Sequence, residues 1–190
     1  MRARTAAALA SLPVLLAGCG GPLLFAEMEI PQACVTLPAF PFAGTNADPS
    51  TSRDVAYDLG GHFPALTNPN VEYELRVARL DTRLVSTDPV TDPGYDFGAV
   101  DSVRVVVYDP SGVLPEVEVA TYVRNPVTPA TTEIAAVGPM DADLAPYLQA
   151  GTMNLRAEYS GGLPRGDWTA DVQGCFYLRI LFDYGALLPL

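Results

Sequence analysis

Asp88, Asp92 and Asp96 recur every fourth residue in the Pro- and Gly-containing stretch 87–98, with Asp101 close behind. Carboxylates are hard oxygen ligands. Calcium takes roughly six to eight oxygens, which aspartates and the carbonyls of a tight turn could supply together. The stretch is therefore a candidate calcium site, although its spacing fits neither the EF-hand nor the RTX pattern. Asp-Pro turns between strands also arise for conformational reasons alone, and that reading stands beside the first. Asp141 and Asp143 could likewise meet a cation, or could face the N-terminus of a short helix. His62, in Gly60-Gly61-His62-Phe63-Pro64, has no nucleophile or carboxylate singled out beside it and reads as a surface or packing histidine.

The remaining chemistry is narrow. The chain has no lysine, so Schiff-base and lysine-nucleophile mechanisms are excluded, and one histidine cannot build a multi-histidine metal site. The sequence contains no Gly-x-Ser-x-Gly elbow, His-Glu-x-x-His, phosphate-binding loop or Cys-x-x-Cys. A carboxylate pair for glycoside hydrolysis carries no information among 22 acids until geometry is known. No enzyme is expected. Trp168 and the tyrosines at 73, 108, 122, 147, 159, 177 and 184 suggest a sugar-stacking platform. Strand parity, however, places Trp168 on a core face and leaves Tyr108, Tyr122 and Tyr177 pointing outward, as tyrosine on a half-buried strand often does.

The N-terminus gives the sharpest signal. Arg2 and Arg4 precede a mostly apolar run to Ala17 that is too short to span a bilayer, as in a signal peptide. Leu16-Ala17-Gly18-Cys19 resembles the lipobox of bacterial lipoproteins, in which small residues precede a cysteine that takes a diacylglycerol before cleavage. More loosely, the chain resembles the β-sandwich lipoproteins of GC-rich bacteria such as myxobacteria. The resemblance implies removal of residues 1–18, a lipidated Cys19, and a membrane anchor of several acyl chains that dissociates very slowly. Gly20, where an aspartate would retain an enterobacterial relative at the inner membrane, favours the outer membrane. Residues 19–22 are then a short tether, and 23–190 a single domain.

Loss of Arg2 and Arg4 takes the formal charge from −11 to −13, which argues against nucleic acid and against electrostatic binding to anionic lipid. A chain of this length can bury about 70% of its unfolded surface in one core. Beyond the signal peptide, alternating apolar runs at 23–30, 33–39, 55–59, 71–86, 102–109, 115–124, 133–137, 153–159 and 168–184 are divided by Pro, Gly, Asn and Asp. This pattern predicts an all-β, antiparallel sandwich of the immunoglobulin-like or Greek-key type. One short helix is expected within 141–149, capped by Asp141 or Asp143, closed by Gly151, with Pro146 in its first turn.

In the last strand Trp168, Ala170, Val172, Phe176, Leu178, Ile180 and Phe182 share one face. Cys175 falls on the other, and Cys34 aligns outward with Thr36. Two outward cysteines can bridge only between neighbouring strands of one sheet, so a Cys34–Cys175 disulfide requires the first and last strands to lie side by side. In 71–86 the apolar parity changes from odd (Val71 to Val77) to even (Leu80, Leu84), which predicts a β-bulge near Ala78 or Arg79. The expected role is a non-enzymatic, membrane-anchored envelope component, structural or bound to an envelope protein partner. The alternative is a displayed module for glycan or calcium-dependent surfaces, with the stretch 87–98 as its binding loop.

Overall fold

A computed structural model describes residues 25–45, 50–68, 71–126, 129–139, 141–149 and 151–183. Cys19 and Tyr184 lie outside the described residues. Eight strands account for most of the described residues: β1 (Phe25–Phe42), β2 (Ser50–Asp58), β3 (Val71–Ser86), β4 (Val100–Val107), β5 (Val117–Val123), β6 (Glu133–Val137), β7 (Thr152–Gly161) and β8 (Trp168–Asp183). They pair in the order β1-β8-β3-β6, then β5-β4-β7-β2, and the ladder joining the two halves is a single pair, Thr121↔Val137. The halves face each other: Tyr57 of β2 packs against Phe176 of β8, and the Tyr159 hydroxyl of β7 bonds Thr82 of β3 at 2.8 Å. This order is the double Greek key of a jelly roll. Within the Greek-key class it differs from the immunoglobulin order, because here the first strand pairs with the last.

The core lies between the halves and is built from the inward parity of each strand. Leu155, Ala157 and Tyr159 of β7 meet Trp168, Ala170, Val172 and Phe176 of β8, all of them buried. Gly174 occupies an inward position where a Cβ would come within 2.9 Å of the Tyr57 ring, so its missing side chain makes room for that ring. The Tyr57 hydroxyl donates to the Val172 carbonyl at 3.3 Å, which pairs its polar end inside the core.

The outward faces carry Arg–carboxylate pairs instead. Arg179 with Glu27 and Arg83 with Asp171 lie on one sheet, while Arg104 with Glu118 and Glu158, and Arg156 with Asp54 and Glu116, lie on the other. Alternation of arginine and acid across neighbouring strands explains how so acidic a chain tolerates two polar sheet faces.

Cys34 stands directly opposite Cys175 in the β1–β8 register, with Cα atoms 4.1 Å apart, and the two are joined by a disulfide. Lateral pairing of the first and last strands therefore holds. Cys175 keeps the outward parity and is nevertheless buried, because Cys34 flanks it on one side and Arg79 on the other. The β3–β8 register slips between Val77 and Arg79, which makes Ala78 the extra residue of the expected bulge. The two early apolar runs form one strand, with irregularities between Ile30 and Ala33 and between Leu37 and Phe40. Pro31, Pro38 and Pro41 are tolerated there because β1 is an edge strand that pairs only with β8.

Helix is scarce. The segment 141–149 holds a 3₁₀ turn, Ala145–Tyr147, with Pro146 near its start, and Asp143 accepts the Ala145 N–H at 3.0 Å. The same carboxylate oxygen accepts the Leu75 N–H, so it ties this segment to β3. Among the described residues the one α-helical turn is α1 (Leu59–His62), outside the expected segment, where Asp58 accepts the Gly61 N–H and caps a stretch too short to show helical periodicity.

Candidate functional site

The register sets two poles. At one, Phe25 pairs with Asp183 and Val71 with Phe182; at the other, Phe42 pairs with Trp168 and Ser86 with Thr169. The second pole gathers the loops that follow β1, β3 and β7, and they hold one another. Asp92 accepts the backbone N–H groups of Arg165 at 3.0 Å and Gly166 at 2.8 Å. Gly44 donates to Asp167 at 2.9 Å, Thr45 to the Pro164 carbonyl, and Tyr95 to the Gly162 carbonyl. Partial burial would raise the Asp92 carboxyl, but the N–H donors of Arg165 and Gly166 outweigh it and hold the group below the usual aspartate range.

A cleft of about 330 Å³ opens at this loop pole. Its lining includes Arg53, Ser86, Asp88, Asp167 and Thr169, together with Phe42 and Trp168. The two rings are stacked on each other with centroids 4.0 Å apart, and Phe97 and Tyr159 stand edge-on to the indole. Trp168 is buried, and its Nε1–H has no hydrogen-bond acceptor among the described residues. Arg53 shares the strand parity of Val55 and Tyr57, which face the core, and is half-buried at the rim. Neither Asp88 nor Asp167, in the same cleft, forms a salt bridge with it.

The predicted calcium residues lie at this pole but do not converge. Asp88 accepts the Val90 N–H at 2.8 Å, Asp96 accepts the Gly98 N–H at 2.6 Å, and Asp92 serves the loop after β7. Each carboxylate closes a backbone turn, which is the conformational reading of an Asp-Pro loop. Among the described residues no three His, Cys, Asp or Glu side chains gather closely enough to hold a metal ion. His62 is exposed, with Nδ1 2.9 Å from the Asp58 carbonyl.

The tyrosines do not form a platform. Tyr177 lies on one outer sheet face, bonded to Glu29, and Tyr108 lies on the other beneath Arg156. Tyr122 corrects the expected parity. The β4–β5 register slips at Val105/Val106 and leaves Val119 as an extra residue, so Tyr122 pairs with the buried Val103 and packs against the core. The outward signal of three tyrosines thus reduces to two on opposite sides of the molecule. Arg53 and Asp167 were missed in the sequence; the available signal was an arginine two residues before the Val55, Tyr57 alternation of β2.

No protein-family model matches the sequence, and no curated protein does. Several solved structures are distantly similar. The Cocksfoot mottle virus structure is similar at a TM-score of 0.40 and 10% identity, covering 92% of this chain and 96% of that one. The capsid protein of a decameric BFDV assembly is similar at 0.37 and 10%, covering 83% and 99%. A carbohydrate-binding module of the β-sandwich superfamily is similar at 0.30 and 9%, covering 78% and 54%. These are distant likenesses.

Proposed function

We propose that this chain is a lipid-anchored, non-enzymatic component of the bacterial cell envelope that presents its loop pole to an envelope partner. The observation that carries the reading is the course of β1. Its 18 residues run from the Phe25 pole to the Phe42 pole, roughly 55 Å at a strand's rise per residue. An acyl chain on Cys19 is tied through the Phe25 end, and the six residue-to-residue steps from Cys19 to Phe25 reach at most about 20 Å when extended. Anchoring by Cys19 therefore sets the pole that holds the 109–114 loop towards the bilayer and the cleft away from it. The net negative charge gives an anionic leaflet no hold on the domain, so the lipid alone keeps it at the membrane.

Two experiments test it. Cys19→Ser should move the protein from the membrane fraction to the soluble envelope fraction, and continued membrane association would remove the lipid anchor from the reading. A photo-crosslinking residue at exposed Val90, at the loop pole, should capture one specific envelope protein in intact cells, whereas one at exposed Val113 should not. Capture from Val113 alone would reverse the orientation.

A further inference from the structure

We infer that the cleft at the loop pole binds a neutral, polyhydroxylated ligand, of the class of an uncharged oligosaccharide. This goes beyond the anchored reading and does not depend on it. The argument begins with Arg53. Among the described residues, the arginines without a carboxylate in salt-bridge reach are Arg53 and Arg165, and both belong to the loop pole, while the sheet-face arginines are paired. Arg53 is set on the core-facing parity of β2 and is half-buried, a position in which an unpaired guanidinium costs free energy unless something accepts its hydrogen bonds.

Two acceptors share the cleft and stay apart from it. Asp88 uses Oδ1 on Val90, and Asp167 uses Oδ1 on Gly44, so both side chains are positioned by the backbone they cap. The Ser86 and Thr169 hydroxyls, also in the lining, bond each other at 2.7 Å. The site thus offers a cationic donor, two carboxylate acceptors held by backbone N–H groups and a hydroxyl pair within one opening. An anion would meet two carboxylates against one guanidinium, and a simple cation would leave Arg53 opposed. A sugar hydroxyl both donates and accepts, so one ligand satisfies Asp88, Asp167 and Arg53 together.

The cleft volume lies at the lower end of the range of small-molecule sites, enough for roughly one or two sugar rings. Phe42 and Trp168 already stack on one another, so recognition rests on hydrogen bonds rather than on a free aromatic face.

Trp168 is the sole tryptophan and lies in the cleft wall, so its emission reports directly. The full chain as isolated, held in a detergent without a sugar headgroup, is titrated with cellohexaose, maltohexaose and chitohexaose, and separately with trigalacturonate and triglycine. A saturable emission change with at least one neutral hexasaccharide is expected, weakened about tenfold or more in Arg53→Met, as loss of a charged hydrogen-bond donor implies. A second variant, Asp88→Asn, keeps the turn acceptor and should weaken binding independently. Saturation by trigalacturonate or triglycine alone overturns the assignment of a neutral ligand. No response to any neutral sugar, or equal affinity in both variants, overturns the site itself. None of these outcomes bears on fractionation of Cys19→Ser, so failure here and failure of the anchored reading are distinguishable.

Discussion

Asp92 and Gly166, 74 residues apart in the chain, are joined by a hydrogen bond of 2.8 Å from the glycine N–H to the Asp92 Oδ2. With Arg165 on the other carboxylate oxygen, the side chain clamps the loop after β3 to the loop after β7. Asp92→Ala should lower stability by about 1 kcal/mol, the scale of a lost capping acceptor at a partly exposed site. Asp92→Asn, which retains one acceptor oxygen, should fall between. If the loop is a hydrogen-bonded clamp rather than a cation site, thermal melts with calcium and with chelator should coincide, and a midpoint raised by calcium would contradict the clamp.

The disulfide closes a span of 141 residues between two neighbouring strands. Cross-linking over so long a loop restricts the unfolded chain strongly, and its loss typically costs about 2–5 kcal/mol. Cys34→Ala with Cys175→Ala should lower the denaturation midpoint accordingly while β1 still pairs with β8. Mass spectrometry of the unreduced protein should find no free thiol at either position; two free thiols would break the argument.

The strands were readable in the sequence because one face of each is core and the other is wet, so a period of two survives from β3 to β8. The bulge at Ala78 could be placed for the same reason: an extra residue shifts apolar parity, and Leu80 and Leu84 record the shift. The corresponding slip at Val119 leaves no trace, since Val117, Val119 and Val123 continue one odd parity straight through it, and the even-numbered Tyr122 therefore reads as outward. α1 is a single turn and has no periodicity to read. The Asp88, Asp92 and Asp96 spacing showed that carboxylates gather at this pole but not that each is used by a backbone N–H. The cleft is made by Arg53, Asp88 and Asp167, which come from three separate segments, and only the fold brings them together.

Gly174 and Tyr57 form a second dependent pair. Gly174→Val would drive a side chain into the ring and into Phe176, at an overpacking cost of about 1–3 kcal/mol. Tyr57→Phe should cost about 1 kcal/mol, because it leaves the Val172 carbonyl without that donor. Chemical denaturation of both variants measures this, and an unchanged midpoint for Gly174→Val would mean that the ring does not rest there.

The buried tyrosines predict behaviour in alkali. Desolvation pushes the Tyr159 hydroxyl up to about 12, against the opposing bond from Thr82, and burial raises Tyr57 as well. A folded-state value above the unfolded one means that the native state holds its proton longer. Stability should therefore be full below about pH 10, where unfolded tyrosine is still neutral, and should decline above it. A melting midpoint that stays flat from pH 9 to 11.5 would contradict this, and Tyr159→Phe should shallow the decline.

Asp109 governs the opposite limit. Its carboxylate is buried and accepts from the Ser111 hydroxyl and N–H, the N–H groups of Val113 and Leu114, and the Gln149 amide, which ties the 109–114 loop to the segment before β7. The Ser111 donors come first in holding this group far below the usual aspartate range, and no cation is needed. Because the folded value is depressed, its contribution is complete above the ordinary aspartate pKa near 4 and is lost as pH falls below it. Asp109→Asn keeps one acceptor oxygen, so it should destabilise the protein at neutral pH and flatten the acid limb of the stability curve. Melting profiles of the two proteins between pH 2 and 7 should converge in acid. Parallel curves across that range would assign the acid transition to other carboxylates.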